Sequence, residues 1–237
     1  MNNHELANAI ERNGGAIIKG MGAIEAGRAC GVYTAVNTGP IEHLRSEYTD
    51  LTIAIAAAEA AGLHLRAGAL QKMLGAIPTE EKWRDEAINH VTTEGANLAL
   101  DTFLAGSGYT VVGPYMGLIS SVGYTTTAIT AVAAQINGTN GWKEAGSSIN
   151  YPLYTTPRKT CAWSAAAAKS KALSAALSFP IVTTGGTVKG CFLIFGTGAL
   201  STIADVNGKL WSAGVFSGGD KVVAVSDTLN VSYSASL

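Results

Sequence analysis

The sequence predicts a mainly β protein, with an antiparallel, jelly-roll-like β-sandwich over residues 79–237 behind a helical region over residues 1–78. Three observations carry that expectation. Short apolar runs separated by Gly, Asn and Pro turn signals fill the chain from Tyr109 onward. The last run, Asp227-Thr-Leu229-Asn-Val231-Ser-Tyr233-Ser, alternates apolar and polar residues with period two, as a half-buried antiparallel strand does. The part up to about Gly75 is instead Ala-rich and punctuated by glycines, which reads as helical.

Taken in order, residues 3–11 form a short polar helix candidate stopped by Asn13-Gly14-Gly15. Residues 16–33 carry Gly20, Gly22, Gly27 and Gly31, each weakening a helix by up to about 1 kcal/mol relative to Ala. That stretch reads either as a helix packed closely on a neighbour or as an extended arm. Asn37-Thr38-Gly39-Pro40 is a turn signal. Pro40 suits the first position of a helix reaching Tyr48, with Glu42 at the positive end of its dipole. Asp50 is then the expected N-cap of a helix over 51–74. Apolar residues surround that helix, so it is expected to be buried on several sides, by its own chain, a second copy or another protein.

Pro78-Thr79-Glu80-Glu81 reads as a turn and a domain boundary. A strand over 82–91 follows, then a helix over 94–104 capped by Thr92 or Thr93, with Leu98, Leu100, Phe103 and Leu104 as its apolar residues. Gly106-Ser107-Gly108 closes it. Strands are expected over 109–112, 115–120, 159–164, 171–181, 187–195, 209–216 and 228–236. Residues 165–176 look helical by propensity, yet they sit between strands and read in part as a loop entering one. Gly218-Gly219-Asp220 lies one strand before the terminal one, where a hairpin needs a turn.

Charged residues make up 14% of the chain, against about 25% in an average soluble domain. A surface that omits charge fits burial against partners, because interface cores are depleted of it. The net charge of −1 leaves no basic footprint for nucleic acid. The most apolar window, 51–63, is interrupted by Glu59 and too short to span a bilayer. Residues 1–12 lack the basic-then-apolar order of a secretory signal. A soluble protein made in the cytosol, with no membrane or nucleic-acid partner, is therefore expected.

The search for chemistry returns no catalytic, cofactor-binding or metal-binding residues. No GxxxxGK[ST] loop or GxSxG elbow is present. Gly196-Thr-Gly198-Ala-Leu-Ser201 reads as a strand connection rather than a dinucleotide loop. His4, His43, His64 and His90 are scattered and form no ligand spacing. Asp85 and Glu86 are adjacent, so on a strand they face opposite ways and cannot act as an acid/base pair. Asp205, Asp220 and Asp227 sit beside Gly or Ser and read as turn formers rather than calcium ligands. The three cysteines, Cys30, Cys161 and Cys191, have no CxxC spacing and read as free buried thiols, with a Cys161–Cys191 bridge between neighbouring strands as the alternative. Trp83, Trp142, Trp163 and Trp211 read as core packing, with a sugar-stacking platform as the alternative.

One set of motifs does point to a family. Lys82-Trp83-Arg-Asp-Glu86 leads into Asn89 and Val91, then into Gly95-Ala-Asn97-Leu98. Tyr115-Met-Gly117-Leu118, Gly141-Trp142-Lys-Glu144 and a Tyr154-to-Arg158 segment follow. The chain closes on Ser212-Ala-Gly-Val-Phe-Ser-Gly-Gly-Asp220 and Asp227-Thr-Leu-Asn-Val231. In this order, over about residues 82–237, the motifs resemble a group of tailed-bacteriophage virion structural proteins. Gly113-Pro114 departs from that pattern, which has an aromatic there, and the helical region has no counterpart in it.

The resemblance implies a non-enzymatic virion component, assembled in the host cytoplasm, whose partners are other copies of itself and the major capsid protein or tail proteins. A capsid cement or decoration protein is the expectation, because the chain is compact and lacks a fibrous repeat. The alternatives are a tail fibre or tail-tip protein that binds a host surface glycan or other receptor and, in a different class, a glycan-degrading enzyme.

Overall fold

A computed structural model describes residues 30–104, 112–127, 130–147, 154 and 157–236. The helix candidate over 3–11, the glycine stop at 106–108 and most of the strand candidate over 109–112 lie outside these residues.

Two antiparallel five-stranded sheets face each other. The first contains β1 (Cys30–Pro40), β2 (Thr79–His90), β5 (Ser170–Ala172), β6 (Leu177–Pro180) and β10 (Thr228–Ser236). Its order is β2-β1-β10, with β5 and β6 both pairing to β10. The second contains β3 (Tyr115–Ser120), β4 (Lys159–Thr160), β7 (Gly186–Phe195), β8 (Lys209–Val215) and β9 (Lys221–Val223). Its order is β4-β3-β7-β8, with β9 pairing to β7. The mainly β, two-sheet class expected from the sequence is what the chain adopts.

Between the sheets lies a core that takes Tyr33, Ala35 and Ala87 from β1 and β2, Leu229, Val231 and Tyr233 from β10, and Met116, Leu118, Cys191 and Leu193 from β3 and β7. The terminal strand buries Leu229, Val231 and Tyr233 and turns the residues between them away, as its period of two requires. The second sheet is covered on its other face too. Ile119, Phe192, Ile194, Leu210 and Ala213 meet Ala131, Ala133, Ile136 and Trp142 there. Strand β7 is therefore apolar on both sides, which explains its unbroken Cys191-to-Phe195 run.

Several local expectations are corrected. Asn37-Thr38-Gly39-Pro40 is not a turn but the end of β1, the strand between β2 and β10. Residues 30–40 thus belong to the sandwich rather than to a helical region, and 30–33 are extended. The turn expected at 78–81 is mostly strand, since β2 begins at Thr79. Asp50 caps nothing: the helix α1 (Arg45–Ala60) has begun five residues earlier, after a 3₁₀ turn at Glu42–Leu44. The single helix over 51–74 is two helices, α1 and α2 (His64–Ala76). Between them Gly62 adopts φ +71°, its N–H bonds the Glu59 carbonyl, and the Leu63 N–H bonds the Ala58 carbonyl. That is a Schellman stop, which needs a residue without a Cβ penalty in the left-handed region. The stretch expected as strand over 171–181 is broken into β5 and β6, and only Lys159–Thr160 of the stretch over 159–164 is strand. Strand β9, three residues long, is not among the strands the sequence predicts.

Candidate functional site

Several residues of the sequence motifs take part in four polar clasps. The first docks helix α3 (Thr93–Leu104) on β8. Thr92 is the N-cap: its Oγ1 accepts the Gly95 N–H at 3.1 Å and donates to the Leu210 carbonyl. Glu94 accepts the Leu210 N–H at 2.7 Å and the Ala133 N–H at 3.0 Å. A Cβ on Gly95 would lie 2.9 Å from the Trp211 Cα, so only glycine lets the helix approach the strand this closely.

The second clasp is an ion pair sealed inside the protein. Arg158 donates from Nε and Nη2 to the two oxygens of Glu144, each at 2.7 Å, and both side chains are fully buried. The remaining polar capacity is used as well. The Ala204 N–H donates to Glu144 Oε2 at 2.7 Å, and Arg158 Nη2 donates to the Asp205 carbonyl at 2.7 Å. The guanidinium lies 5.2 Å from the centroid of the Phe192 ring. Gly117 leaves the space: a Cβ there would come within 2.8 Å of Glu144 Oε1. Burial pushes the Glu144 carboxyl above its ordinary value, while the Arg158 guanidinium and the Ala204 amide pull it down. Thus Gly117, Glu144 and Arg158, from three separate motifs, form one structural unit.

A third and a fourth clasp hold turns in place, each around one aspartate. Asp85 accepts from Ser217 Oγ at 2.9 Å and the Gly218 N–H at 3.0 Å, and pairs with Lys221 at 2.7 Å, fixing the turn between β8 and β9. Asp227 accepts from Asn37 Nδ2, Arg45 Nη1 and the Ala224 N–H, at 2.8, 2.8 and 3.0 Å. Arg45 also donates to the Val225 carbonyl at 2.8 Å. Asp227 therefore ties the first turn of α1 to the loop before β10.

The other candidates are dispersed. His43 and His64 are exposed on the helical segment, and no group of three metal-ligating side chains occurs among the described residues. Cys161 and Cys191 are free and buried, and burial pushes the Cys161 thiol up to about 12 and Cys191 higher. Asp220 pairs with Lys189, and Asp205 accepts from the Asn207 N–H and side chain. The tryptophans pack rather than form a platform. Trp142 is fully buried, Trp83 stacks edge-on against Phe216, Trp163 against Tyr233, and Trp211 donates to Tyr233 Oη at 3.1 Å.

What the single chain leaves open is the helical hairpin. Helices α1 and α2 pack on each other, and α1 contacts β1 and, through Arg45 and Thr49, the loop before β10. Helix α1 buries Leu51, Ile55 and Ala58, and α2 buries only Ala67. Ile53 is 63% exposed, Leu65 95% and Met73 54%. Among the described residues, the burial on several sides expected for this helical stretch is not supplied by the rest of the chain. No helix among the described residues is long and apolar enough to cross a membrane. No family model, curated protein or solved structure matches the chain.

Proposed function

We propose that this chain is a structural component of a tailed-phage virion, a cement or decoration protein whose sandwich lies on the capsid and whose helical hairpin contacts neighbouring subunits. The observation that carries this reading is the use to which the resembling motifs are put. Gly95, Gly117, Glu144, Arg158, Asp85 and Asp227 serve to hold strands, turns and one helix together. A set of motifs spent on rigidity fits a protein whose task is to remain folded on a particle. The charge-poor composition and the exposed apolar hairpin support the same reading, since a surface of that kind is covered in an assembly. The tail-tip alternative gains no such support: no Trp, Tyr or Phe is among the exposed large apolar residues described.

Proteomics of density-purified particles tests this. The chain is expected at a copy number that scales with the capsid protein. Its absence from purified particles would reject every virion reading.

A further inference from the structure

The hairpin carries two outward faces that match each other. At 3.6 residues per turn, Ile53, Ala56, Ala57 and Ala60 lie on the side of α1 opposite the buried Leu51, Ile55 and Ala58. Likewise Leu65 and Ala69 lie on the side of α2 opposite Ala67 and Leu74, and the exposed Met73 continues that stripe along one flank. Both outward stripes are exposed. The α1 stripe is shallow, with a single large side chain among alanines. The α2 stripe projects two long side chains, Leu65 and Met73, which fit an alanine-lined groove.

Charge follows the same division. Past Arg45, which is engaged by Asp227, α1 carries Glu47, Asp50 and Glu59. Helix α2 carries Arg66 and Lys72 and no carboxylate. Among the described residues, Glu47, Asp50, Arg66 and Lys72 take part in no ion pair.

We propose that α2 of one copy packs on α1 of the next, so that the chain assembles head to tail through its hairpins. A second copy is the indicated partner because one chain carries both halves of the match. Two-fold pairing of identical faces would oppose carboxylate to carboxylate or cation to cation. Packing α2 of one copy on α1 of the next makes the contact heterologous and leaves the first copy's α1 and the second copy's α2 open, so each copy engages two neighbours. The inference stands on the hairpin alone and survives if the chain is not a virion component.

Light scattering on the purified full-length chain at micromolar concentration tests it, with Leu65→Glu and Ile53→Lys as variants, each of which sets a like charge against the facing helix. The wild type is expected to be larger than a dimer, and each variant a monomer with the circular dichroism of the native sandwich. Mixing the two variants restores one intact α2–α1 contact, so an equimolar mixture gives at least a dimer. Met73→Glu and Ala57→Lys repeat the test on the two faces if either first variant fails to fold. A monomeric wild type, a dimer that Ile53→Lys leaves intact, or a mixture that stays monomeric would overturn the proposal.

Discussion

Arg158 grips both oxygens of Glu144 at 2.7 Å in a pocket that leaves neither side chain any contact with solvent. The pair joins the loop after β3 to the segment entering β4, over the face of Phe192 in β7. Removing one member strands a charge in the interior. Arg158→Met is expected to cost about 3–5 kcal/mol, measured by urea unfolding, and the double variant Glu144→Met/Arg158→Met less than that. A double variant as damaging as Arg158→Met would show that the pair's charge is not what makes it matter.

The cap of α3 offers a second test. Thr92→Val keeps the shape and loses the hydroxyl that serves both Gly95 and Leu210. A loss of about 0.5–2 kcal/mol is expected. Gly95→Val should be worse, since its added atoms meet the backbone of Trp211 rather than a side chain that could swing aside. Equal stability of Gly95→Val and wild type would mean that α3 does not sit on β8 as described.

Acid should loosen the turn between β8 and β9. Burial acts to raise the Asp85 carboxyl, but Lys221, the Glu86 and Gly218 amides and the Ser217 hydroxyl outweigh it and hold the carboxyl below its ordinary value. A depressed carboxyl contributes stability above its unfolded pKa and loses it as pH falls through the folded one. Stability is therefore expected to decline as pH drops through and below the usual carboxylate range. Asp85→Asn should flatten that decline, as read from denaturation midpoints across pH.

Thiol accessibility separates folded from unfolded chain. Cys161 and Cys191 lie in the core between the sheets with strongly raised thiol pKa values. Neither should react with a disulfide reagent at neutral pH until denaturant is added. Rapid labelling of Cys191 in the native protein would place it outside the core.

The terminal strand, β3, β7 and β8 were legible because their side chains follow simple rules. Period two marks β10, and an unbroken apolar run marks a strand covered on both faces. Strand β1 was not legible because its pattern is inverted. Its inward residues are Gly31, Tyr33, Ala35, Asn37 and Gly39, while Val32, Thr34 and Val36 point outward. The inward glycines yield space to Tyr233 and Asp227, two hundred residues away in sequence, and Asn37 bonds Asp227. No local reading can supply those partners. The helix break at Gly62 does carry a local signal, a glycine free to take the left-handed position, but the apolar run continues across it and hides the stop. Ala61-Gly62-Leu63 carries no proline or polar cap, and the stop is made by backbone hydrogen bonds alone. The polar clasps were visible as separate motifs, but that Gly117, Glu144 and Arg158 meet is a property of the fold.

Density for an intact particle at side-chain resolution is the most direct test of the assembly role. The account predicts sandwiches lying over capsomer junctions, with hairpins of adjacent copies in contact. Density for the chain confined to a few copies at the tail, or no density for it on the particle, would contradict it.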